Sequence, residues 1–372
     1  MRKNGTVPAG RANPEVLVVG AGPTGLTLAS ALAANGVPVR VLDARSGPHR
    51  ESRGKGLHED TLALLDSLGA GERVRAAGRR GITLRKYFDG EFVADTEVPD
   101  GLVIGQWRLE EALRGHLAGL GVSVEYGRAV TELWSDVSGG GVRDSSGEVV
   151  TFRYLAGCDG GRSAVRRLTG IALDGVTADA AEMSVGDVRA PGLDRDHWHQ
   201  WFTSAGEGVL MCPIPGTEMF QIQTGVEHDE GGVLRPVSLA FLQKRLDRCA
   251  GPTGIRLSDP TWLSSWRPNL RRARSLRRGP VFLAGDAAHV HPIAGGQGMR
   301  AGLADAVALA DALAEALRAG DRTAAGAAED RYEAARSPAA DELLRDTAAR
   351  HARVMRAVRR PGRGTEVGLT PA

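Results

Sequence analysis

Cysteine is nearly absent from this sequence, with Cys158, Cys212 and Cys249 the only three in 372 residues. An odd number of thiols this far apart excludes a disulfide framework and offers no paired spacing for a zinc site, so they read as reduced thiols of a cytoplasmic protein. Lysine is also scarce. It stands only at positions 3, 55, 86 and 244, and every other one of the 47 basic residues is arginine, a bias of codon composition rather than of chemistry. The formal net charge of +2 is too balanced for nucleic-acid binding by bulk electrostatics. No apolar run approaches the length of a membrane span. Residues 1–14 are polar and basic without an apolar stretch, which excludes an ordinary secretory signal and predicts a flexible tail. Residues 361–372, rich in Gly, Pro and Arg, are expected to fray.

The chain has the composition for a sizeable core: 42% hydrophobic and 25% charged residues are ordinary globular values. Its length exceeds one compact domain. Val16–Val19 is an unbroken apolar run ending in glycine, which predicts a strand buried on both faces of a parallel sheet. A helix is predicted from about Thr24 to Asn35 and a second strand over Val37–Asp43, so a βαβ unit opens the chain. Helices are predicted over 59–68 and 109–120, a hairpin turning at Asp89-Gly90, and strands at 122–126 and 149–157. Between about 180 and 268 the texture changes to alternating strands, among them His197–Thr203, Gly208–Met211 and Met219–Thr224. The continuous apolar pattern returns at 280–285, and two Ala-rich helices follow. The expectation is an α/β fold: a Rossmann-like domain over 15–175 and 270–360, interrupted by an antiparallel-sheet domain over 176–269.

Chemistry gathers at the strand–helix joints. Gly20-Ala21-Gly22-Pro23-Thr24-Gly25 links the first strand to the first helix, as a dinucleotide fingerprint requires, and Asp43 ends the second strand where a carboxylate can accept ribose hydroxyls. A second glycine-rich helix entrance follows the strand Val281–Ala284: Gly285-Asp286-Ala287-Ala288-His289, then Pro292 and Gly295-Gly296-Gln297-Gly298. Two such entrances imply one extended ligand held in two places. Asp286 can accept hydrogen bonds from a sugar-alcohol chain, and the helix start near Gly298 can stabilise negative charge on a ring system. His289 and His291 lack a third ligand at suitable spacing, so no metal is expected. Strand alternation puts His199 and Trp201 on one face and Trp198 and Phe202 on the other. One of these faces is the expected ceiling of a substrate cavity, with His199, Trp201, Met211 and Pro292 as candidate contacts.

The fingerprint with Asp43, the segment Arg53-Gly54-Lys55-Gly56-Leu57-His58, Gln106, Cys158-Asp159-Gly160-Gly161-Arg162-Ser163 and Gly285 to Pro292 make the sequence similar to the single-component flavoprotein aromatic hydroxylases. That group includes p-hydroxybenzoate hydroxylase and the aromatic polyketide and phenol hydroxylases. The similarity runs from about residue 15 to 345, and is to the shorter form without a C-terminal thioredoxin-like domain.

The resemblance implies an FAD-binding domain of the p-hydroxybenzoate hydroxylase type, with Gly20, Gly22, Gly25 and Asp43 at the ADP half and Gly285 and Asp286 at the ribityl chain. It makes Arg45, Gln106, Asp159, Gly295, Gly296, Gly298 and Met299 further flavin contacts, places Arg53 near the pyrophosphate and the nicotinamide route, and sets Pro292 and Arg300 beside the flavin pyrimidine and the oxygen-reaction side. It also implies reduction by NADPH (or NADH), capture of O2 as a flavin C4a-hydroperoxide, and hydroxylation of an aromatic small molecule by a monomer or homodimer. Ile293 and Arg300 depart from the Pro and Asn common in that group. A guanidinium aimed inward from Arg300 would add positive field at the flavin; the other course open to it is to point to solvent or contact a carboxylate across the domain junction. Two other readings stay open: a flavin-dependent reductase or dehydrogenase on the same fold, and a non-catalytic flavin- or ligand-binding protein.

Overall fold

A computed structural model describes residues 14–97, 101–177, 182–267, 269–291 and 297–359. Val16–Val19 lies at the middle of a six-stranded sheet, parallel to Val39–Asp43 on one side and to Tyr154–Gly157 on the other. All four of its side chains are buried, as a strand covered on both faces requires. Val124–Tyr126 extends one edge in parallel; Val281–Leu283 joins Tyr154–Gly157 in parallel, and Arg277–Arg278 closes that edge antiparallel. The helix Pro23–Ala34 packs against Gln106–Gly119 and against the much later Gln297–Arg318. The first domain is thus assembled from both ends of the chain.

A second sheet of seven strands runs in the order Ser258–Trp266, Met183–Arg189, Met219–Gly225, Gly208–Pro213, His197–Phe202, Thr83–Phe88, Glu91–Thr96. Its pairings are antiparallel except that His197–Phe202 runs parallel to Thr83–Phe88. The Asp89-Gly90 hairpin therefore leaves the first domain and completes the second, although its sequence precedes the expected boundary at 176 by some eighty residues. Hairpin chemistry is local, but the choice of partner strand is not. The run 149–157 also divides at Arg153: Val149–Phe152 pairs with Gly139–Asp144 in a small sheet, and Tyr154–Gly157 belongs to the large one.

A helix absent from the sequence expectation, Leu239–Ala250, covers one face of the seven-stranded sheet. Ser238 caps it, its Oγ accepting from Phe241 N at 3.2 Å. Its Leu242, Leu246 and Cys249, spaced 4 and 3 apart, form a core with Trp201, Met211 and Ile222. The opposite face turns toward the first domain. Among the described residues no helix is long and apolar enough to cross a membrane.

Candidate active site

A cavity of about 820 Å3 runs from the Gly20–Thr24 turn to the seven-stranded sheet. Its floor depends on three glycines with different tasks. Gly20 has φ +104°, and a Cβ there would lie 2.4 Å from the Cys158 carbonyl oxygen. A Cβ on Gly25 would lie 1.9 Å from the Gly20 carbonyl oxygen. At Gly22 no atom of the described residues stands within 4 Å of an added Cβ, so the turn is close-packed on two sides and open to the cavity on the third.

Asp43 accepts from Ala21 N at 2.6 Å and from Arg45 N and Nε at 2.8 and 2.9 Å. Burial works to raise its pKa, but the Arg45 and Ala21 hydrogen bonds outweigh it and hold the carboxyl below its usual range. Arg45 also reaches Glu110 at 3.4 Å, and Glu110 accepts from Gln106 Nε2 at 3.0 Å and faces His49 Nε2 at 3.1 Å. Arg45 and Gln106 are thus joined through a fully buried acid that sequence reasoning missed. Its signal was the i, i+4 spacing from Gln106 on one helix face.

Asp159 uses Oδ2 to accept from Ala164 N and Val165 N at 2.6 and 3.1 Å, and so caps the helix Ala164–Thr169. Its Oδ1, shielded from solvent, has no partner among the described residues, and Asp159 lies on the cavity. Asp286 is exposed into the same space. Gly285, at φ +63°, lets that segment press on the first helix: a Cβ there would be 2.5 Å from Thr24 Oγ1. Behind it, Asp305 is 1% exposed. It accepts from Gly285 N at 3.0 Å, His289 Nε2 at 2.7 Å and Arg336 Nε at 2.7 Å. Sequence reasoning passed over Asp305, one of three acids in an Ala-rich helix with Asp311 and Glu315. The open bay at Gly22, an unpartnered carboxylate oxygen on Asp159 and an exposed carboxylate on Asp286, all on one cavity, fit the pyrophosphate, sugar and ribityl hydroxyls of FAD.

The Ser52–Gly54 loop is fastened from both domains. Ser52 donates from N and Oγ to Asp187 at 2.8 and 2.5 Å, and Gln221 Nε2 donates to the Arg53 carbonyl at 2.9 Å. Gln106 N donates to the Ser52 and Gly54 carbonyls at 2.9 and 2.8 Å. These bonds over-determine the φ of +37° at Arg53, a conformation that disfavours any residue but glycine. The Arg53 guanidinium, 50% exposed, pairs with Glu51 at 2.6 Å on the cavity wall.

Met299 presses its Cε toward Gly54, and Gly298 lies beside His291. Of the two courses open to Arg300, the structure shows the carboxylate contact, which corrects its expected place beside the flavin ring. Its guanidinium is bound to Asp60 at 2.5 Å and to Gln297 Oε1 at 3.2 Å, so its charge is spent on a half-exposed pair across to the helix Glu59–Ser67 rather than aimed at a flavin. Pro292, Ile293, Gly295 and Gly296 lie outside the described residues.

The expected substrate contacts His199, Trp201 and Met211 also need correction. They do not line the cavity. Tyr87, His199 and Trp201 form a stack with centroids 5.2–6.2 Å apart, and Trp201 and Met211 pack into the core under Leu239–Ala250. The helix that covers this face was not foreseen, so the choice between faces fell the wrong way. The wall is instead built from Val185, Gln223, Trp262, Ser264 and Trp266. Trp262, Ser264 and Trp266 alternate along the edge strand opposite Asp187, Val185 and Met183, and this period of two was the missed signal. Replacing Trp262 and Trp266 together by Ala is expected to weaken binding of polycyclic aromatics by roughly tenfold or more while FAD stays bound. Ligand titration followed by flavin absorbance checks it, and unchanged affinity would remove both side chains from the ligand wall.

A family profile described as "FAD binding domain" matches residues 13–347. The chain is 35% identical over 354 residues to a flavin-dependent monooxygenase of Mycobacteroides abscessus, covering 88% of this chain and 72% of the relative. It is 36% identical over 349 residues to the 6-methylpretetramide 4-monooxygenase of Streptomyces rimosus, covering 90% of this chain and 61% of that one. Among solved structures, aklavinone-11 hydroxylase in complex with FAD and aklavinone superimposes with a TM-score of 0.80 at 26% identity, covering 94% of this chain and 70% of that chain. The chain thus spans between three fifths and three quarters of the length of these relatives. With the Gly20–Thr24 turn, Asp286 and Gly298 on one cavity, these matches make the chain a member of the FAD-binding family of flavoprotein monooxygenases.

Proposed function

We propose that this protein oxygenates a bulky aromatic small molecule of the polyketide kind, using O2 and a nicotinamide nucleotide, NADPH or NADH, that visits the cavity. The observation that carries the reading is the continuity of one cavity from the Gly22 bay to the Trp262 and Trp266 wall, which puts an aromatic-lined space beside the residues that hold the flavin. The names of the relatives, acting on 6-methylpretetramide or binding aklavinone, support that size of ligand.

FAD, when bound, supplies the two-electron redox chemistry and O2 activation that no side chain can. The chain's own residues bind, orient and shield. The Gly20–Gly25 turn and Asp286 would hold the cofactor, and the seven-stranded sheet would cover the space beside it and limit the access of water. Trp266 Nε1, buried without a partner among the described residues, and the Gln223 amide can hydrogen-bond polar groups of a ring and set which edge enters first. Arg53, at the wall with half its surface free, is placed to meet an anionic group of the visiting nucleotide.

The test is NADPH oxidation and O2 uptake by the FAD-loaded protein against a panel of aromatic polyketides, with product mass. Ligands that bind are expected to accelerate reduction and to gain one oxygen atom. NADPH oxidation without an oxygenated product would favour the reductase reading, and binding without turnover the non-catalytic one. Arg53→Ala is expected to slow reduction by roughly tenfold while FAD retention holds; the reverse order would confine Arg53 to the cofactor.

A further inference from the structure

Lys55 is one of only four lysines in the chain, and it lines the cavity. Its Nζ is shielded from solvent and, among the described residues, has no hydrogen-bond partner. It lies 4.5 Å from the centroid of the Trp198 ring. That contact steadies the ammonium but leaves its N–H donors unmatched. Trp198 projects from the face of the seven-stranded sheet that turns toward the first domain, packing with Ile82, Val103 and Cys212. Its indole Nε1 is, among the described residues, also buried without a partner. Two residues on, Gln200 shares this face and is 0% exposed, with both Oε1 and Nε2 unpartnered among the described residues. Buried polar groups in folded proteins are nearly always paired, so these three neighbouring exceptions, Lys55 on the cavity wall and Trp198 and Gln200 on the sheet behind it, mark a place where a ligand completes the bonding. The set is rich in donors and carries one positive charge beside a flat aromatic face.

We propose that Lys55 Nζ, with Trp198 Nε1–H and the Gln200 amide, seats an anionic oxygen of the aromatic substrate, a phenolate or enolate, and so fixes which edge of the ring system faces the flavin. This deepens the monooxygenase reading and rests on it. Burial lowers the Lys55 pKa to about 8, with Asp187 and Cys212 the titratable neighbours, so the amine is still mainly protonated at neutral pH. The hydroxyl proton of the ligand leaves to solvent on binding.

The test measures Kd for p-nitrophenol against p-nitroanisole, and for alizarin against its dimethyl ether, by perturbation of the flavin spectrum of the FAD-loaded protein. Wild type is expected to bind the hydroxy form at least about tenfold tighter than the ether. Lys55→Met should bring the two to within about twofold, and Lys55→Arg should keep part of the preference because it keeps the charge. Trp198→Phe, which keeps an aromatic ring beside Lys55 but loses the N–H and part of the indole surface, should reduce the preference without abolishing it. Equal binding of hydroxy and ether forms by wild type would overturn the proposal even if Lys55→Met fails to fold. So would an undiminished preference in Lys55→Met, and in either case the monooxygenase reading would stand. Failure of wild type to bind any of the four ligands would overturn both.

Discussion

Gly25→Ala is expected to purify without flavin. The new Cβ would sit 1.9 Å from the Gly20 carbonyl oxygen, a backbone atom that is itself fixed by the Gly20 N to Leu42 O bond at 2.7 Å. The turn must open, and the helix start that offers its free N–H groups to the pyrophosphate moves with it. FAD affinity should fall at least about 100-fold, equivalent to about 2.7 kcal/mol. Flavin absorbance after purification and titration of the apoprotein measure it, with far-UV circular dichroism to show that the fold survives. Gly22→Ala is the control, because its Cβ meets no atom of the described residues within 4 Å. Folding should be unaffected there, and any loss of flavin is then obstruction of the bay. Full flavin content in Gly25→Ala would refute the close packing of the turn.

Asp305→Asn should be among the most destabilising single changes in the protein. It leaves Arg336 and His289 in a buried site without their shared carboxylate, at a cost of about 3–5 kcal/mol. The melting temperature should drop by several degrees. The pH profile separates this from a generic packing defect. For His289, burial works to lower the pKa, but the hydrogen bond and charge of Asp305, with Asp286 adding, outweigh it and the pKa is raised. Its contribution to stability is therefore complete below the ordinary histidine value near 6.5 and fades as pH rises through the higher folded value. For Asp305, burial works to raise the pKa, but His289 and Arg336 outweigh it and the pKa is lowered. Its contribution is present above the ordinary value near 3.8 and is lost on acidification through the lower folded value. Urea midpoints of wild type should fall on both flanks, and both slopes should flatten in Asp305→Asn. Flanks unchanged by the substitution would show that the pair does not carry the pH dependence.

The parts of the fold that could be read in the sequence are those whose causes are local. An apolar run that ends in glycine and passes into a helix is a strand and a turn wherever it occurs, so the Gly20–Gly25 cradle and the return of the first domain at Val281 were readable. The same held for the period of two in His197–Phe202, which correctly separates His199 and Trp201 from Trp198. Which of the two faces meets the cavity depends on where the Leu239–Ala250 helix lands, and no spacing within the strand contains that. Glu110 and Asp305 were overlooked for a related reason. A buried acid looks like any surface acid until the arginines and histidines that converge on it, from positions up to 65 residues away, are brought together. The Asp89-Gly90 turn announced a hairpin but not the sheet it would join.

The assembly of the first domain from distant segments constrains the order in which it can form. Until Val281–Leu283 is synthesised, Tyr154–Gly157 is an edge strand with unpaired backbone groups and wholly buried, apolar side chains left uncovered. Thr24 likewise waits for Gly285 and Gly302, which close on it from far along the chain. A nascent chain on the ribosome therefore carries a sticky, half-closed sheet through the whole synthesis of the inserted domain, and flavin has no complete cradle to enter before then. Slow translation or truncation ahead of Val281 should divert the chain to aggregates, whereas the seven-stranded sheet, whose last strand ends at Trp266, already has all of its strands at that stage.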